Sequence, residues 1–281
     1  MVAFSGASFN EVIREAMADF EQHGFDNAER LAYWQERLRK AAEETMTPEA
    51  VMEEMLRKAY AAVFKRDIEN GNALRRHPGV QRFTLEKVKP KLRLELSKRI
   101  QASASLIKLD RERVIQQTLQ RFSGWATSIP EGGSSQSNKE ERGKIIEGMG
   151  GLKFKERRVL IDQAHKLTAA INDVIAKDGG AIAAIWISHA GEAGYDAREE
   201  HEERQEASKK QPFLIRDSWA HEQGLVKLNG SKYTDQMTQP GEEIFCRCFF
   251  KYIYALSGLP REQLTKKGLE RLAEARRQMA S

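Results

Sequence analysis

The segment PGEEIFCRCFF, residues 240–250, contains both cysteines of this 281-residue chain. Cys246 and Cys248 are separated by one residue, in a run rich in aromatic and β-branched side chains that predicts a β-strand. Because side chains alternate along a strand, both thiols are predicted on one face and Arg247 on the other. The segment therefore places a sheet in the second half of the chain.

Three roles for the two thiols follow from this spacing. Two thiolates on one face, joined by Asp196 and His201 from elsewhere in the chain, would supply the four ligands of a zinc site. A redox pair is a second role, although a disulfide across one residue would close a small, strained ring. In the third, both thiols are buried in the sheet and act as small hydrophobic side chains. The sequence leaves these alternatives open.

Composition limits the class of protein. The chain has 46 Lys and Arg against 41 Asp and Glu, and its net charge of +5 is spread among mixed charges, which is weak evidence for nucleic-acid binding. Two cysteines argue against a disulfide-stapled secreted domain. The N-terminus lacks the pattern of a signal peptide, and the longest apolar run, GGAIAAIWIS, is about half of the roughly 20 residues that a membrane span needs. We therefore expect a soluble protein of a reducing cytoplasm.

The first half of the chain, residues 1–127, is predicted to be a helical region. Ser8 followed by Glu11 is the signature of a capping box at a helix start. Thr47-Pro48 predicts another helix start, with Pro at the first helical position. A long helix is predicted from Thr84 to about Phe122.

The second half of the chain is predicted to contain strands as well as helices. Residues 128–143, SIPEGGSSQSNKEERG, combine Pro, Gly and Ser with charge and are predicted to be a linker. A domain over 144–258 follows, with a helix from Lys153 to Asp178, and residues 259–281 are predicted to form a C-terminal helix. The candidate strands are AIAAIWIS, FLIRDSWA and IFCRCFFKYIYAL. The predicted fold class is α+β: a long, mostly helical N-terminal half, then a small mixed domain with a short sheet.

Charged side chains of the second half admit two interpretations. Arg198 and Arg247 could each clamp a carboxylate in a buried network beside Trp186 and Trp219. The available carboxylates are Asp196, Asp217 and Asp235. Alternatively these charges pair at the surface, where each pair contributes under about 1 kcal/mol.

Histidines are expected to be ordinary surface residues. His201 lies in the acidic run REEHEER, which is typical of a solvated helix face. The same interpretation applies to His165, His189 and His221, while His23 and His77 lie in turn-like contexts.

Signatures of common enzymes are absent from the sequence: there is no G-x-S-x-G, H-E-x-x-H, Walker A or G-x-G-x-x-G motif. A metal-dependent hydrolase or nuclease using Asp196, His201, Cys246 and Cys248 is one alternative function, with Glu199, Glu200 or Glu242 as the base. A DNA-binding module is another, through basic stretches such as KVKPKLRLELSKR, although interleaved acids weaken it.

One ordered set of residues carries a family resemblance. The pattern W…D-x-R-x-x-H…P-G-E-x-x-x-C-R-C resembles the C-terminal domain of the phage head-morphogenesis family, the Mu F-type minor head proteins. It is carried by Trp186, Asp196, Arg198, His201, Pro240, Gly241, Cys246, Arg247 and Cys248. The resemblance covers about residues 150–256. The chain departs from the family in lacking a D-G turn after the histidine, which bears on the geometry of that loop.

The resemblance implies a structural protein of a tailed phage or prophage rather than an enzyme. Such a protein lies inside the virion head, after assembly in the host cytoplasm, and acts in head assembly and in DNA packaging or ejection. Its implied partners are the portal protein and the major capsid or scaffold protein, with non-specific DNA contact and no membrane. The motif would form a structural clamp, with or without zinc, and no other cofactor is expected. The clamp residues are Trp186, Asp196, Arg198, His201, Arg216, Asp217, Trp219, Asp235, Pro240, Gly241 and Arg247.

Overall fold

The computed structural model describes residues 8–128, 138–189 and 197–280. The chain forms two compact units, each built from two segments. Unit 1 contains the chain up to Arg57 and the segment Gln101–Leu160. Unit 2 contains the segment Lys58–Ile100 and the chain from Ile161 onward.

Unit 1 is helical, as the sequence predicts. Its helices are α1 (Phe9–His23), α2 (Ala28–Glu44), α5 (Asn138–Gly150) and parts of α3 (Glu49–Phe64), α4 (Arg82–Ser128) and α6 (Leu152–Asp178). The predicted capping box starts α1: the Glu11 carboxylate accepts a hydrogen bond from the Ser8 backbone N–H at 2.6 Å. Apolar residues at helical spacing on α1 pack against an aromatic group that contains Phe122 and Trp125.

Helix α5 begins inside the stretch that the sequence predicts to be a linker. Asn138 is the first residue of this helix, and Ile145 is buried in the core of unit 1. Burial of this apolar side chain outweighs the polar composition around it, so that residues 138–143 are helical. Residues 129–137 lie outside the described ranges, and the boundaries 1–127, 128–143, 144–258 and 259–281 stay predictions.

Unit 2 contains a three-stranded antiparallel sheet in the order β2-β1-β3, which confirms the α+β class. The strands are β1 (Ala183–Ile187), β2 (Phe213–Leu214) and β3 (Phe249–Ile253). Trp186 pairs with Phe250 across β1 and β3. Helix α7 (Glu199–Lys210) is tied to β1, because the Ser208 hydroxyl accepts a hydrogen bond from the Trp186 backbone N–H at 2.9 Å.

The strand predicted through the two cysteines is wrong at its start. β3 begins at Phe249, and the residues before it form turns with Gly241 and Phe245 at positive φ, +85° and +61°. The Phe245 backbone N–H donates to the Asp162 carboxylate at 2.6 Å instead of to a neighbouring strand. Strand alternation therefore does not apply to Cys246 and Cys248, which precede the sheet.

The candidate strand FLIRDSWA is also shorter than its composition predicts. Only Phe213 and Leu214 pair with β1. The Ser218 hydroxyl then caps the short helix α8 (Trp219–Glu222), accepting from the His221 backbone N–H at 3.4 Å. A helix cap thus ends the extended conformation.

The C-terminal helix α9 spans Lys266–Ala280, inside the predicted 259–281 segment. Its residues Leu269 and Leu272 pack against a buried cluster that contains Leu225 and Leu264. Within the described ranges, no helix has the length and apolarity to cross a membrane.

His77 lies in a turn, as its sequence context suggests, but its side chain is buried in the interior of unit 2. It is about 1% exposed. Its Nε2 donates to the Asn172 side-chain oxygen at 3.1 Å, and its Nδ1 accepts from the Tyr254 hydroxyl at 2.6 Å. Burial lowers the pKa of His77 from its ordinary value near 6.5, with a further decrease from Arg76, while the bond to Asn172 opposes the shift.

We expect the free energy of unfolding to fall as the pH decreases below 6.5, the ordinary pKa of histidine. The unfolded chain takes up a proton there, whereas buried His77 stays neutral until a lower pH, so protonation favours unfolding. Denaturant titrations between pH 5 and 8 on the wild type and on His77→Gln measure the contribution of His77 to this pH dependence. The variant should show a shallower fall than the wild type. Equal slopes would contradict the expectation.

Candidate functional site

Three of the four zinc ligands suggested by the sequence converge in unit 2. His201 lies in the first turn of α7, and Cys246 and Cys248 precede β3. The His201 Nδ1 is 3.3 Å from the Cys248 sulfur and 3.9 Å from the Cys246 sulfur. All three side chains are buried. We call these three residues the thiol–histidine cluster; the fourth suggested ligand, Asp196, lies outside the described residues.

Burial of His201 overturns the surface interpretation of the run REEHEER. The side chain is 0% exposed, and its ring lies 5.2 Å from the Trp186 ring. His201, Gln205 and Ser208 lie at positions i, i+4 and i+7, which form one face of a helix. Gln205 and Ser208 both bond to β1 or the residue that follows it. A polar inner face at this spacing is the sequence signal that could have identified the histidine.

Glu243 is the functional residue that sequence reasoning missed. Its carboxylate accepts a hydrogen bond from His201 Nε2 at 3.1 Å, pairs with Arg198 and lies 3.5 Å from Arg204. Burial raises the pKa of Glu243, but His201, Arg198 and Arg204 outweigh that effect, and the net pKa is lowered. A carboxylate at Nε2 makes that nitrogen a donor and orients the ring so that Nδ1 faces the two sulfurs.

The two thiols are coupled. The pKa of Cys246 is lowered to about 6, first because the Cys248 thiol donates a hydrogen bond to its sulfur, and burial opposes this shift. The Gly241 backbone N–H also donates to the Cys246 sulfur, at 3.3 Å. The pKa of Cys248 is raised because it holds the shared proton and because it is buried. The two thiols therefore titrate as a pair, and the thiolate form is favoured at Cys246 over Cys248.

Trp186 forms one wall of the thiol–histidine cluster. It is fully buried, and its ring meets Phe250 edge to face at 5.7 Å. The Arg204 guanidinium lies over the same ring at 5.1 Å. The indole thus packs between the cluster and the sheet.

The segment before the cysteines is anchored to α6 and to α7. Asp162 of α6 accepts from the Phe245 backbone N–H and is paired with Lys166 at 3.0 Å. Arg198, next to α7, donates to the Ile244 carbonyl at 2.9 Å. The cluster therefore joins a helix, a turn and the edge of a sheet.

Four other residues suggested by the sequence lie outside the thiol–histidine cluster: Arg216, Asp217, Trp219 and Asp235. Arg216 pairs with Asp235 at 2.8 Å, but both side chains are about half exposed, 42% and 52%, as in the surface alternative. Trp219 donates to the Gly180 carbonyl at 3.1 Å, and Asp217 is exposed. These residues do not form a buried Arg–Asp network.

The turn residues and Arg247 lie close to the cysteines. Pro240 and Gly241 are buried. A side-chain carbon at Gly241 would lie 3.1 Å from Ala169, so the absence of a side chain allows this turn to approach α6 closely. Arg247 lines a pocket of about 280 Å³ together with both cysteines. His165 and His189 also line this pocket.

Comparisons with known proteins add no relative. No family model, no curated protein and no solved structure matches the chain. Any function for this chain is therefore inferred from the geometry of unit 2 and from the sequence pattern.

Proposed function

We propose that this chain is a minor head protein of a tailed phage or prophage, with the cluster acting as a structural clamp. The observation that carries the proposal is the convergence of separated motif residues in one buried cluster. Trp186, His201, Cys246 and Cys248 come from three parts of the sequence and are buried together, and the exposed Arg198 joins them through Glu243. A motif that preserves architecture is expected to be buried and to join several elements.

The proposed clamp holds the turn before the cysteines against two helices. Glu243 connects the start of α7 to the turn before the cysteines through Arg198 and His201. Asp162 holds the same turn on α6. Glu199, Glu200 and Glu242, the bases suggested for a hydrolase, are exposed, and the carboxylate that contacts the cluster is already engaged by three cationic or polar partners. This arrangement favours a structural function over a hydrolytic one.

The proposed location is inside the head, next to the portal. The long, charged helices of unit 1 would provide surfaces for the portal protein and for the major capsid or scaffold protein. The mixed charge, with a small positive excess, suits weak and non-specific contact with packaged DNA.

Quantitative mass spectrometry of purified, DNA-filled particles from the source phage or induced prophage tests the proposal. We expect between a few and a few tens of copies of the chain per particle. Empty heads from the same preparation serve as the control for association before packaging. Absence from both kinds of particle would overturn the proposal and favour the hydrolase alternative, since an enzyme of the host cytoplasm need not enter the head.

A further inference from the structure

We infer that His201 Nδ1 and the sulfurs of Cys246 and Cys248 are three ligands of a zinc ion. This inference does not depend on the proposed role in the phage head. It rests on four features of unit 2: the distances between the donor atoms, the partner of the histidine, the balance of buried charge and the space beside the sulfurs.

The donor atoms have the separations that tetrahedral zinc requires. Zinc–sulfur bonds of about 2.3 Å and zinc–nitrogen bonds of about 2.0 Å place nitrogen and sulfur about 3.5 Å apart at a tetrahedral angle. The two observed distances, 3.3 Å and 3.9 Å, lie on either side of this value. All three donor atoms lie within 4.8 Å of one another. Small movements of side chains would therefore close the site.

Glu243 completes the arrangement that is usual around a metal-bound histidine. A ligating imidazole normally donates its other N–H to a carboxylate, which fixes the tautomer and the ring orientation. Here the Nε2–H faces Glu243 at 3.1 Å. Arg198 and Arg204 hold that carboxylate in turn. Nδ1 is thus directed at the sulfurs before any ion arrives.

Charge balance also favours a divalent ion. Two thiolates and one Zn²⁺ sum to zero, whereas two buried thiolates alone would carry an uncompensated charge. N–H groups already point at the sulfurs: the Gly241 N–H donates to Cys246 at 3.3 Å. The buried Trp186 indole N–H has no hydrogen-bond partner among the described residues. These dipoles suit anionic ligands.

Both cysteines also line a pocket, and His201 is not among its lining residues. The pocket of about 280 Å³ is lined by both cysteines and can hold water molecules. The two thiolates and the imidazole fill three of the four tetrahedral positions of zinc and leave one for a further ligand. The donor set, two soft sulfurs and one nitrogen, favours zinc over magnesium or calcium.

The test uses the full chain without a polyhistidine tag, purified under reducing conditions with zinc chloride as the only added metal. After dialysis, elemental analysis should find about one zinc per chain. Cys246→Ser and Cys248→Ser should each lose most of it. Glu243→Gln should weaken zinc affinity by roughly 10–100-fold, whereas Glu202→Gln, at an exposed position of the same helix, should leave it unchanged.

Cobalt(II) binding to the wild-type chain provides a readout that does not require a folded variant. Two thiolate ligands should produce thiolate-to-cobalt charge-transfer absorption, which zinc should abolish by competition. Folded wild-type chain that retains no zinc and shows no such absorption would overturn the inference. A Cys246–Cys248 disulfide in protein kept under reducing conditions, detected by mass spectrometry, would also overturn it and assign the thiols to redox chemistry.

Discussion

Replacing Trp186 by alanine is expected to lower the free energy of unfolding of unit 2 by about 3–5 kcal/mol. The indole is fully buried, contacts His201 and Phe250, and lies under Arg204. Removal leaves a cavity whose walls belong to β1, α7 and β3, elements that cannot all move inward because the sheet fixes their spacing. Chemical denaturation, followed by circular dichroism, measures the loss.

Trp219→Ala is the matched control for this change. Trp219 is 36% exposed, and its indole N–H donates a hydrogen bond to the Gly180 carbonyl. The same substitution there should cost about 1 kcal/mol, the value of a single hydrogen bond and partial burial. Equal losses in the two variants would show that Trp186 does not support the core of unit 2.

Thiol reactivity gives a second readout for Trp186→Ala. The chain has two cysteines, and both belong to the cluster, so a thiol reagent reports on this region alone. Loss of the indole wall should raise the modification rate at least severalfold, because local opening near the cavity becomes easier. Trp219→Ala should leave the rate close to that of the wild type.

Local patterns in the sequence predicted much of the fold. The capping box at Ser8 and the helical spacing of apolar residues identified α1, and the apolar run at Ala183–Ile187 identified β1. These signals work because each depends on neighbours within about one turn or one strand. The candidate strand at Cys246 failed because a contact with Asp162, distant in sequence, competes with strand pairing.

The candidate site shows the same division between local and distant signals. His201, Cys246 and Cys248 could be named from the sequence because His and Cys are typical zinc ligands, although the strand alternation used to bring the thiols together was wrong. Glu243 could not be selected among many acids, since its role depends on where the turn places it against α7. Burial of His201 likewise depends on which face of α7 meets the sheet.

The glycine at position 268 is expected to be essential for docking of α9, although it lies inside a helix. A side-chain carbon there would lie 2.1 Å from the Leu225 carbonyl oxygen, which already accepts a hydrogen bond from the Thr265 backbone N–H. Backbone cannot rotate away as a flexible side chain can. We expect Gly268→Ala to destabilise unit 2 by about 3 kcal/mol or to detach α9, the upper range for overpacking.

Gly124→Ala provides a control of opposite sign. Gly124 also lies within a helix, α4, but a side-chain carbon there meets nothing within 4 Å. Alanine should therefore stabilise the protein by up to about 1 kcal/mol, because glycine lowers helix stability. Hydrogen exchange can assign the effect: in Gly268→Ala, amides of α9 should lose protection while those of α1 keep it. If Gly268→Ala instead stabilises the protein, as Gly124→Ala is expected to do, the close approach of α9 to Leu225 is not what requires glycine at this position, and helix propensity governs both sites.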